Sequence, residues 1–233
     1  MTISSPSKIV DNIRYFTSKT YFCCSWSGFN QIITNVNRFY YNLCLARNPN
    51  LCPIKDLDLH NRTSVCIDDP PFEEGVKYFV KIQATNSVGL SSTAVSPLLL
   101  VDTTEPDVGE VTVLNPKGEI FSFISSELLA QWNGFVDRES TITEYFTCVG
   151  TEPGLCDAAE LVSAGNMSRY RWSALNLTHN EEYFVSLKAI NSADLSSNFS
   201  FSEPISVDRT GMDYFSNLSS AIQLSIIYFY TIT

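Results

Sequence analysis

The sequence predicts an all-β chain made of two tandem β-sandwiches followed by a short tail. Three observations lead there. The chain repeats itself at an offset of about 105 residues, far longer than the roughly 20–50 of stacked solenoid repeats. Its strongest apolar runs alternate with period two, and residues that break regular structure punctuate them at short intervals. No stretch of helical length holds a 3.6-residue period with caps at both ends.

The repeat comes first because it sets the domain count. Trp26-Ser27-Gly28-Phe29 recurs as Trp132-Asn133-Gly134-Phe135, and Cys44 and Cys52 recur as Cys148 and Cys156. The ten residues Tyr78 to Ser87 recur as Tyr183 to Ser192, and Val101-Asp102-Thr103-Thr104 as Val207-Asp208-Arg209-Thr210. These landmarks in one order divide the chain into modules 1–103 and 104–209 and a tail 210–233. Within each module the early strand places Phe22, Cys24 and Trp26, or Leu128, Ala130 and Trp132, on one face. Turns are marked by Asn48-Pro49-Asn50, Pro70-Pro71, Asn115-Pro116-Lys117-Gly118 and Glu152-Pro153-Gly154. The long strand opening at Tyr78 or Tyr183 follows an apolar residue six positions earlier, Phe72 or Leu177. That pair is the sequence form of a tyrosine corner, in which the hydroxyl bonds back to the preceding backbone.

These residues resemble the fibronectin type III family over 8–103 and 108–208. The resemblance rests on Trp26 and Trp132, the two corner tyrosines, and the strand and turn from Tyr78 to Ser92. The second copy of that turn carries Asp194 where the first has Gly89. It implies two immunoglobulin-like sandwiches, with the tryptophans as core anchors. It implies nothing about a ligand, because the same scaffold serves receptors, matrix proteins and secreted enzymes.

Cysteine usage departs from ordinary members of that family. Cys44–Cys52 and Cys148–Cys156 each span a turn and read as hairpin staples. Among the remaining three, period two puts Cys24 inside with Trp26 and Cys23 outside. The second and fifth strands are neighbours in the resembled fold, which makes Cys23–Cys66 the preferred third bridge. Cys24–Cys66 is the alternative, one residue of register away. Zinc fits poorly, since C-x7-C lacks a close bite and only His60 and His179 are available.

Chemistry-bearing motifs are sparse. The two histidines fall in loops, and no phosphate loop or dinucleotide fingerprint occurs, so no enzyme, cofactor or metal is expected. Asp102, Glu105 and Asp107 crowd the junction but lack calcium-loop spacing, so the segment reads as a short extended linker. The 15 basic against 25 acidic residues give a net charge of −10, which disfavours nucleic acid. No apolar run is long enough for a spanning helix, so this segment is not expected to insert into a membrane.

Sequons at Asn61, Asn166, Asn176, Asn198 and Asn217 join the cysteines in pointing to an extracellular or cell-surface location. The start lacks an apolar leader. With the apolar tail, this reads as an excerpt of a longer chain with neighbouring modules. The leading expectation is a non-catalytic binding or spacer segment, of adhesion or receptor type, that presents loops and faces to a protein or glycan. One alternative is a cytokine-receptor-like ectodomain, although the Trp-Ser-x-Trp-Ser box is missing. The other is an accessory region of a secreted carbohydrate-active enzyme.

Overall fold

Alternation of buried and exposed side chains resolves into strands throughout the computed structural model, which describes residues 1–3, 8–29, 35–114 and 127–207. Tail 210–233 with Asn217, and the turn at 115–118, lie outside the described residues. The strands of the first repeat are β1 (Thr2–Ile3), β2 (Lys8–Val10), β3 (Ile13–Phe16), β4 (Tyr21–Ser25), β5 (Val36–Leu45), β6 (Ile54–Asp58), β7 (Ser64–Asp68), β8 (Lys77–Asn86), β9 (Ser91–Val95) and β10 (Leu98–Val101). Those of the second are β11 (Glu110–Leu114), β12 (Leu128–Asn133), β13 (Ile142–Gly150), β14 (Ala159–Gly165), β15 (Arg169–Trp172), β16 (Glu182–Asn191), β17 (Ser200–Phe201) and β18 (Ile205–Ser206). Among the described residues there is no helix long and apolar enough to cross a membrane.

The chain divides into two compact units. The first comprises Met1–Asp107, Val136–Thr143 and Ile190–Ser196; the second comprises Val108–Phe135, Glu144–Ala189 and Ser197–Thr233. The first has a three-stranded sheet, β1-β4-β7, and a larger sheet ordered β2-β3-β10-β8-β5-β6 with β9 on β8. Between them Phe22, Cys24 and Trp26 pack with Tyr41, Leu43, Tyr78, Val80, Ile82 and Leu99, all nearly or wholly buried. This is period two at work: β8 buries Tyr78, Val80, Ile82 and Ala84 while the residues between them stay partly open. Removing so much apolar surface from water, at roughly 25 cal/mol per Å², is the main force holding the sheets together.

The second unit repeats the plan with sheets β11-β12-β15 and β14-β13-β16-β17, with β18 also on β16. Trp132 and Phe135 reach Tyr145 of β13, with ring centroids 5.4 and 5.6 Å apart. Both tyrosine corners form. Tyr78 Oη accepts the Glu73 N–H at 3.0 Å and donates to the Pro71 carbonyl at 3.2 Å. Tyr183 Oη accepts the Thr178 N–H at 3.0 Å. The chain is thus an all-β protein of tandem β-sandwiches, each with its own tyrosine corner.

The turn after the long strand is built alike in both copies. Asn86 Oδ1 accepts the N–H groups of Val88 and Leu90, and Asn191 Oδ1 accepts those of Ala193 and Leu195. Gly89 supplies the left-handed residue in one turn, at φ 83°, and Asp194 does so in the other, at φ 71°. Asp tolerates that region better than most residues, so the Gly-to-Asp exchange keeps the turn.

Candidate functional site

The cysteines show what holds the surface in place. Strand register sets Cys23 opposite Cys66 on β4 and β7, and the two are joined by a disulfide. Cys24, one residue on, faces the core as a free thiol, and burial pushes its pKa up to about 12. Disulfides also join Cys44 to Cys52 and Cys148 to Cys156. Cys44 and Cys148 lie in strands, whereas Cys52 and Cys156 lie in the loops that follow. Each short bridge therefore ties a loop back to the strand it leaves. In the second unit Gly150 permits this, since a Cβ there would run into the Leu155 carbonyl.

The asparagines of the four described sequons, Asn61, Asn166, Asn176 and Asn198, are all exposed. His60 is held by Asp58, with Nδ1 to Oδ1 at 3.0 Å, and His179 is half-buried. Hydrogen bonds from His60, aided by Arg38, hold the Asp58 carboxyl below its ordinary range.

Within the first unit the acidic residues expected to cluster in the junction regroup. Asp107 pairs instead with Arg138 at 3.6 Å. Asp102, wholly buried, lies with Asp137 and Glu139, one oxygen of each within 4.8 Å of the others. Asn191 Nδ2 donates to Asp102 at 3.1 Å and to Asp137 at 2.9 Å. The oxygen of that amide is already taken by its turn, so Asn191 meets the two carboxylates as a donor. Burial, and then the charges of Asp137 and Glu139, raise the Asp102 pKa to about 6, against hydrogen bonds from Ser140 and Thr104. The Thr103 N–H and hydroxyl both donate to Glu74, which also pairs with Lys19. The Thr104 hydroxyl donates to Glu139 at 2.7 Å. The segment after β10 is therefore fixed by polar bonds rather than by extended conformation alone. Sequence reasoning missed Asp137, Glu139 and Asn191 as partners of Asp102. The Asn repeated at positions 86 and 191 was the available signal.

In the second unit β13, β16 and the chain leading into β17 assemble an outward aromatic face. Lys188 Nζ lies 5.9 Å from the Phe146 ring centroid and 5.6 Å from that of Phe199. Phe199 and Phe201 follow side by side, centroids 6.3 Å apart and planes only 23° from parallel. Phe201 is 42% exposed and Leu155, in the stapled loop, 46%. None of these residues was singled out from the sequence, since phenylalanine in a strand reads as core.

No family model matches the chain, and no curated protein sequence does. Among solved structures it is similar to the fibronectin(III)-like modules of Clostridium thermocellum CbhA, at 16% identity and TM-score 0.43, covering 89% of this chain and 93% of that one. It is also similar to the FN1-FN3 domains of chicken CNTN1, at 18% identity and TM-score 0.45, covering 87% of this chain and 68% of that one.

Proposed function

We propose that the chain is a non-catalytic extracellular segment that uses its sandwiches as a stiff mount, offering loops and sheet faces to a protein or glycan partner in adhesion or reception. The observation that carries this reading is the disulfide set, in which six of the seven cysteines are joined, all on strand pairs or the loops beside them. Such bridges persist in oxidising compartments and are rare in the cytosol. They also make the surface rigid, so a partner meets loops whose ordering entropy was lost on folding rather than on binding. Four exposed sequon asparagines support the same compartment. The glycans they would carry support a role at the cell surface.

The experiment is to secrete the chain behind a leader peptide from eukaryotic cells, treat it with a glycosidase and apply it to cultured cells. A mobility shift on deglycosylation and saturable cell-surface binding are the expected results. Retention inside the cell without glycan, or the absence of saturable binding, would overturn the reading.

A further inference from the structure

The two repeats share a core but not an outer face. Ser96 and Ser202 make the same bonds, each accepting a strand N–H, from Val80 or Val185, and each donating to the next carbonyl. They fix the alignment of the closing strands. On it, Phe199 and Phe201 stand where the first repeat has Thr93 and Val95. The aligned cysteines and long strands likewise set Phe146 against Asn42 and Lys188 against Gln83. Nothing in sandwich packing requires the changes at Gln83, Thr93 and Val95, because these first-repeat side chains are exposed or partly exposed.

We propose that this face of the second unit binds an acidic saccharide, whose sugar ring stacks on Phe199 and Phe201 while its carboxylate pairs with Lys188. The inference rests on the binding role proposed above and names the chemistry of the partner. Charge complementarity selects the anion. In a chain of net charge −10, the Lys188 ammonium is gripped by two rings and forms no ion pair with any described carboxylate. An ammonium against aromatic faces keeps hydrogen-bond donors free for an acceptor arriving from solvent. Ring geometry selects the sugar. The two phenyl groups stack 6.3 Å apart and leave Phe201 42% exposed to an arriving ring. The C–H bonds on one face of a pyranose, being weakly positive, complement the negative faces of such rings. A peptide adding to the sheet would gain little here, since β17 offers only Ser200 and Phe201 for a ladder. The loop bridged by Cys148–Cys156 flanks these rings, with Gly154 beside Phe201.

The first repeat supplies the test variants, as its own residues are compatible with the fold. The secreted chain, Lys188→Gln and the double variant Phe199→Thr/Phe201→Val are titrated by saturation-transfer NMR. The probes are a tetrasaccharide of alternating glucuronate and N-acetylhexosamine, its carboxyl-reduced form, and an acidic peptide of equal charge. The reduced sugar should bind roughly tenfold more weakly than the acidic one. Lys188→Gln should erase that difference, and the double variant should abolish binding of both sugars. Equal binding of acidic and reduced sugars, binding insensitive to the variants, no saturable sugar binding, or tighter variant-sensitive binding of the peptide would each overturn the inference. If sugar binding fails while the wild-type chain still binds cells, only this inference falls; if cell binding is absent, the broader reading falls.

Discussion

At matching places in the two repeats, β4 meets β7 and β12 meets β15 with the same register but different chemistry. In the first repeat Cys23 faces Cys66 and the pair is covalent. In the second, Leu129 faces Arg171, and Arg171 reaches Glu127 at 3.4 Å. The neighbouring core position is Cys24 in one and Ala130 in the other, both buried. One backbone thus accepts a disulfide or an ordinary side-chain pair at this site, so the disulfide is an addition to the first repeat rather than a requirement of the fold. The short staples, present in both, belong to the shared plan.

Exchanges between the repeats turn that contrast into measurements. Replacing Cys23 by Leu and Cys66 by Arg gives the first repeat the second's pair. The bridge spans 43 residues, and losing the loop constraint should cost about 4 kcal/mol. Calorimetry should show the first unit melting well below its wild-type temperature and the second unchanged; an unshifted first transition would refute the assignment. Removing Cys44–Cys52 or Cys148–Cys156 should cost less, about 2–3 kcal/mol, because each closes a short loop. Each loss should register only in the transition of its own unit, and a change in both transitions would contradict this.

Asp102 provides the next effect, and its sign is opposite to that of most carboxylates. Its folded pKa, about 6, exceeds the ordinary 3.8, so the folded chain holds the proton more tightly than the unfolded one. That contribution to stability is full below about 3.8 and is lost as pH rises through 6. Asp102→Asn should therefore be more stable than wild type at neutral pH, by about 1 kcal/mol after screening, with the difference vanishing below pH 4. Urea titrations across that range would test it; parallel curves would refute it. The smallest effect belongs to Cys24→Ala, since Ala130 already fills the equivalent position. A loss of about 1 kcal/mol is expected by urea unfolding, and a loss of several would show that the two cores are not equivalent there.

How much of this was legible in sequence depended on whether a feature was periodic or assembled. Trp26, Trp132 and the corner tyrosines sit in repeated patterns tied to local backbone geometry, so the fold could be read directly. Cys23 and Cys24 were separable because neighbouring residues on a strand point to opposite faces. The Asp102 group could not be read, since Asp137, Glu139 and Asn191 meet it through turns distant in sequence. The aromatic face was hidden for another reason: Phe199 and Phe201 have the composition of a core strand, and only the sheet's orientation shows that they face out. Comparing the repeats position by position could have exposed it, because their first-repeat counterparts are Thr93 and Val95.

The proposed disulfide-reinforced extracellular scaffold is put to its sharpest test by the intact mass of the secreted, deglycosylated chain. Reduction should add about six daltons, for three bridges. Alkylation under denaturing conditions should add one label before reduction and seven after it, as the chain has seven cysteines. An unchanged mass on reduction, with seven labels taken up beforehand, would contradict the account.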